Sequence, residues 1–136
     1  MYLIYRPEGS DEPTRWKYNP KKLMSVEREM LERQTGKNFS DFTTDVVKGN
    51  SLCRRALLFM YLKRDHPGTR FDDVDFAWDE LTLEYSKGEL QQLREQVAEN
   101  APADQKAVAL AKLDEQIEAA FEDPEEEGKA NLPVVE

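Results

Sequence analysis

Three carboxylates fall within four positions at Asp72, Asp73 and Asp75, set among Phe71, Val74, Phe76 and Trp78. Clustered acidic oxygens are the ligands of calcium and magnesium, so a hard-cation site is the first chemistry to test. Counted from Asp73, an EF-hand register puts Asp75 at its third position and Glu84 at its twelfth, but Trp78 at its sixth. The sixth position makes a sharp turn that requires glycine, so the cluster reads as helix capping plus an exposed acidic face. His66 is the sole imidazole, and it precedes Pro67-Gly68 at the end of an apolar run. A cationic side chain there suits a helix C-terminus, and the adjacent Asp65 is splayed away from any dyad geometry. Cys53 lies inside the most apolar stretch, where burial keeps a thiol inert, and one His with one Cys cannot build a zinc site. There is no phosphate-binding glycine loop and no nucleophile elbow. These residues describe a non-enzymatic binding protein with no cofactor and no metal.

The elements that position them follow from periodicity. Residues 2–6 and 14–18 read as a β-hairpin: Tyr2-Leu3-Ile4-Tyr5 and Arg15-Trp16-Lys17-Tyr18 are aromatic and β-rich, with a Pro-Gly turn stretch between them. Trp16 and Tyr18 fall on one face of the second strand. A first helix is predicted from Ser25, as N-cap, to Thr35, with Gly36 at its end and Leu23, Val26, Met30 and Leu31 inward. A second runs from about Ser40 to Lys48 with Phe39, Phe42 and Val46 inward and Gly49 as its stop. The third, capped by Asn50 or Ser51 and ending near Arg64, is apolar around nearly its whole circumference and therefore central. Burying Leu57, Phe59 and Leu62 there contributes roughly 1.5–3 kcal/mol each. Arg54-Arg55 and Lys63-Arg64 read as snorkelling along the core edge. From Phe71 onward a helical turn followed by a short extended piece at 81–85 fits both periodicities. Ser86-Lys87-Gly88-Glu89 is a capping box that opens a helix through Leu90, Leu93 and Val97, and a last helix spans about Ala103 to Phe121.

The expected fold is thus mainly α with a small N-terminal β-hairpin, an α+β chain. Residues 1–85 form a compact helical domain, 86–122 an antiparallel helical pair, and 123–136 an acidic, disordered tail.

Charge divides along the same line. The net charge of −9 is carried wholly by residues 88–136, which hold 4 basic and 13 acidic side chains, whereas residues 1–87 hold 15 of each. Nucleic-acid binding needs clustered positive charge, so that class is excluded. The only strongly apolar run is interrupted by Arg54 and Arg55 and closed by Lys63-Arg64, too short to span a bilayer. With no signal peptide and a single cysteine, the chain reads as a soluble intracellular protein with no membrane partner.

A family resemblance rests on the order of these features. It comprises the N-terminal hairpin, then Glu32-Arg33-Gln34-Thr35-Gly36-Lys37-Asn38-Phe39 at a helix end and Lys48-Gly49-Asn50-Ser51-Leu52 with Arg55-Ala56-Leu57-Leu58. His66-Pro67 and Phe71-Asp72-Asp73-Val74-Asp75-Phe76 follow. In this order the chain resembles the tail assembly chaperones of long-tailed, siphovirus-type phages of actinobacteria, over about residues 1–85. The resemblance implies a non-enzymatic protein of the host cytoplasm that coats and solubilises the tape-measure protein and is absent from the finished virion. It also implies a longer form, made by programmed frameshifting, that recruits tail-tube subunits; Gly128-Lys129 is compatible with a GGG-AAA slip. Self-association stays open. The expected partner contacts are Phe71, Asp72, Asp73, Asp75, Phe76 and Trp78, with helical faces around Leu93 and Leu113. Two other classes compete: an acidic inhibitor or mimic from a mobile element, and a permanent minor tail component.

Overall fold

The computed structural model describes residues 1–123; the expected acidic tail, apart from Asp123, lies outside the described residues. The chain is mainly helical, with five α-helices and a small three-stranded antiparallel sheet among the described residues. It divides into two compact units, Leu3–Leu83 and Met1–Tyr2 with the chain from Glu84 onward.

The first unit holds the sheet apart from its end residues Tyr2 and Glu84: β1 (Tyr2–Tyr5) is flanked by β2 (Thr14–Lys17) and β3 (Leu81–Glu84), in the order β2-β1-β3. The predicted hairpin therefore exists but gains a third strand, the 81–85 piece, whose alternating pattern buries Leu81 and exposes Thr82. The central strand is the most buried of the three, as a strand paired on both edges should be. Tyr18 is buried and Trp16 stacks flat on Tyr61 at 5.3 Å, so both face the helices as their spacing predicted.

Helices α1 (Ser25–Thr35), α2 (Phe39–Lys48) and α3 (Ser51–Asp65) pack against one another. Helix α3 buries Cys53 and the unbroken run Ala56 to Tyr61, which makes it the central helix. The Asn50 side chain caps it by accepting from the Cys53 amide at 2.9 Å. Tyr61 Oη donates to the Lys17 carbonyl, and Tyr18 shares a 2.6 Å hydrogen bond with Thr43, tying helices to sheet.

Three expectations are corrected. Leu62 is only half-buried, because the circumference of α3 is not fully covered at its C-terminal turn. Ser25 lies inside α1 while Met24 takes the cap position, its amide donating to Glu27 Oε1 at 3.1 Å. Val26 is exposed, leaving Leu31 as the buried anchor of α1.

In the second unit, the Ser86 Oγ accepts from the Glu89 amide at 3.2 Å while Glu89 Oε1 accepts from the Ser86 amide at 3.0 Å, completing the predicted capping box. It opens α4 (Lys87–Asn100), which packs against α5 (Ala103–Ala119). The exposed Arg94–Asp114 and Lys87–Glu122 pairs run across the antiparallel hairpin. Tyr2 meets Phe121 edge-on at 5.1 Å, and its hydroxyl donates to Asp123.

Candidate functional site

Adjacent residues on a helix point about 100° apart, and α3 uses this with Arg54 and Arg55. Arg55 Nε donates to the Val74 carbonyl at 2.5 Å and Nη2 to the Phe71 carbonyl at 2.8 Å, and the guanidinium lies 4.1 Å over the Phe71 ring. Arg54 Nε donates to the Val46 carbonyl at 2.9 Å near the end of α2, and its guanidinium lies 4.7 Å over Trp78. Partial burial pulls the Arg54 pKa below its ordinary value. The two arginines thus anchor the 71–78 segment to α3. Snorkelling does not describe them: their forks are spent on backbone oxygens and aromatic faces, where a planar guanidinium is the fitting group.

The anchored segment is two 3₁₀ turns, Phe71–Asp73 and Trp78–Glu80, joined by extended backbone. Phe71 is half-buried and meets Phe59 edge-on at 5.4 Å; Val74 is buried. Asp72, Asp73 and Asp75 all face solvent, and Asp75 Oδ1 accepts from the Phe76 amide at 2.8 Å. Among the described residues, no group of three or more His, Cys, Asp or Glu side chains is placed to hold a metal ion. Phe76 and Trp78 stack at 6.2 Å, and Trp78 is 51% exposed.

Gly49 lies beside the indole, and its conformation, more than the space around it, is what calls for glycine. Its φ of +93° ends α2 in the left-handed region, and a Cβ built on it would stand 3.6 Å from the Trp78 ring. Val47 and Leu52, on either side of Gly49 in sequence, are also exposed. Neither was among the expected contact residues.

The expected contact set is only partly brought together. Phe71, Asp72, Asp73, Asp75, Phe76 and Trp78 share this one segment. Leu93 and Leu113 belong to the other unit, where Leu93 is 40% exposed. Leu113 is a correction: at 8% exposure it is an interior residue of the second unit and offers no surface to a partner. Cys53 is fully buried, and burial first, then the Asp45 charge, pushes its pKa up, away from thiolate chemistry.

Sequence reasoning missed a groove of about 410 Å³ between α1 and α3. Val26, Met30, Phe59 and Met60 supply its apolar lining, and Glu27, Arg33, Lys63 and Arg64 its charges. Phe59 is common to both features, since it lines the groove and supports Phe71. A signal was present in the sequence: α1 keeps Val26 and Met30 amid five charged residues, more apolar positions than one buried Leu31 requires.

The chain matches no family model, no curated protein and no solved structure. Among the described residues, no helix is long and apolar enough to cross a membrane.

Proposed function

We propose that the chain is a non-enzymatic tail assembly chaperone. In this reading it binds and solubilises the tape-measure protein of a long-tailed phage in the host cytoplasm, helps recruit tail-tube subunits through a longer frameshifted product, and leaves before the virion is complete. The observation that carries the reading is the Phe76–Trp78 stack, with Trp78 backed by Arg54 and half open to solvent, on a segment that also bears three exposed carboxylates. Exposed aromatic surface that is rigidly mounted serves association, and a long helical client needs apolar contact together with solubilising charge. The net charge of −9, all within residues 88–136, supplies the second.

Co-expression with the downstream tape-measure protein tests this. The client becomes soluble with the wild-type chain and stays insoluble with Trp78→Ser; unchanged client solubility with the wild type rejects the proposal. A slippery heptamer with an open −1 frame is the expected gene arrangement.

The confinement of the net charge to residues 88–136 favours one second reading, an acidic mimic. It predicts salt-sensitive capture of a basic host protein. A permanent tail component would instead persist in mass spectra of purified particles.

A further inference from the structure

We infer that the α1–α3 groove is a second docking surface, and that it takes an amphipathic helix whose apolar stripe is bordered by carboxylates. The inference goes beyond the chaperone reading and does not depend on the tape-measure protein being the partner.

The lining gives the apolar half of the argument. Met30, Phe59 and Met60 form the inner wall, and Val26, 68% exposed, stands on the α1 side. Met24, equally exposed, precedes it at the cap of α1. Val26 and Met30, four positions apart, share one face of α1 and form its side of the groove. Methionine walls repack around varied side chains. A volume of about 410 Å³ accepts a few apolar side chains, as expected of helix-in-groove recognition, where anchors recur at i, i+3 or i+4, and i+7.

The charges decide which helix. Of the four charged groups around the groove, two cancel: Arg64 Nε and Nη2 donate to Glu27 at 2.6 and 2.8 Å in a bidentate pair. Arg33 and Lys63 have no carboxylate within ion-pair distance among the described residues. Lys63 instead lies 5.5 Å over Phe59, with its ammonium at the groove wall. The groove therefore presents two positive charges that have no ion-pair partner among the described residues. An apolar stripe edged with Glu or Asp satisfies both wall and charge; one edged with Lys is repelled.

The test uses the full chain and two fluorescein-labelled helical peptides of roughly 18 residues, about five turns, with the same Leu stripe and either Glu or Lys along its borders. Fluorescence anisotropy at low salt should give a Kd about tenfold tighter for the Glu-bordered peptide, with the preference shrinking as salt is added. Val26→Glu, a surface change that leaves the circular-dichroism melt intact, should abolish binding. Arg33→Glu with Lys63→Glu should reverse the preference. Equal binding of the two peptides, no binding of either, or binding that survives Val26→Glu overturns the inference. So does a photocrosslinker at position 26 that traps a second copy of this chain or its own residues 124–136.

Discussion

Helix α3 and the helices of the α4–α5 hairpin are of similar length, yet they do opposite work. Helix α3 buries seven of its fifteen residues, whereas α4 and α5 each bury one, Leu90 and Leu113. The difference lies in neighbours. Helix α3 is packed by α1 and α2 and meets the strand residue Trp16 through Tyr61. The hairpin helices pair with each other, and a stripe rich in alanine gives such a pair little to bury. Helical length alone therefore says little about where stability resides; the number of packing partners says more. The first unit holds an aliphatic and aromatic core, while the hairpin relies on its capping box, its pairing and its ion pairs.

Cutting into each core is the strongest way to break this contrast. Leu57 is fully buried, and Leu57→Ala should cost about 2–5 kcal/mol, the range for large-to-small core changes. Leu113→Ala should cost clearly less, since Leu113 keeps some exposure and has fewer elements around it. Urea unfolding of both variants measures this. A Leu113→Ala loss equal to that of Leu57→Ala would show the hairpin to have a core of its own, and the contrast would fail.

The next effect concerns how α3 holds the 71–78 segment. Arg55→Ala removes two charge-assisted hydrogen bonds and leaves the Phe71 and Val74 carbonyls without them. The expected loss is about 1.5–3 kcal/mol. Arg55→Lys should recover only part of it, because an ammonium cannot span two carbonyls as the planar fork does. Hydrogen exchange should show residues 71–78 losing protection in the alanine variant while α2 and the sheet keep theirs. Uniform loss across the unit would mean that Arg55 is a core residue and not the clamp of this segment.

Much of this was legible in the sequence, and the gaps have physical causes. The caps at Asn50 and Ser86, the ends at Gly36 and Gly49, and the central place of α3 are local or periodic signals, which survive folding. The pairing of β3 with β1 was not legible, since strand order depends on contacts between residues far apart in the chain. The roles of Arg54 and Arg55 were missed because charge in an apolar helix has two outcomes, solvent or a buried acceptor, and sequence does not say where the acceptors are. The groove was missed for a similar reason: Val26 and Met30 have the spacing of an inward face, and only the separation of α1 from α3 shows that the face is left partly unfilled. Leu113 erred in the other direction, as an apolar position assigned to a surface that the hairpin closes.

A smaller effect sharpens what holds the hairpin. Ser86 is fully buried, and its Oγ satisfies the Glu89 amide. Ser86→Ala should cost about 1 kcal/mol, with Ser86→Asn or Ser86→Asp recovering part of it where the buried site admits the larger group. Loss of helicity confined to α4 by NMR secondary shifts is the expected signature. An unchanged melt would mean that pairing with α5 alone fixes the start of α4.

The smallest effect compares the ion pairs of the two units. Glu27 and Arg64 form a bidentate pair with Glu27 largely covered, while Arg94 and Asp114 are both well exposed. Hydrogen bonding from Arg64 holds the Glu27 carboxyl below its ordinary value of 4.5. In the acid range the folded state therefore binds fewer protons at Glu27 than the unfolded chain does, and stability from this pair rises with pH. It is fully present above about pH 4.5 and is lost as pH falls through the depressed folded value. Glu27→Gln should thus lower stability by no more than about 1 kcal/mol at neutral pH, after allowing for the exposure of Arg64, and the gap to wild type should close in acid. Asp114→Asn should have a weaker effect that modest salt removes. If salt erased the Glu27 effect as readily, the first unit's ion pair would be no better shielded than the hairpin's, and the contrast between the units would reside in their apolar cores alone.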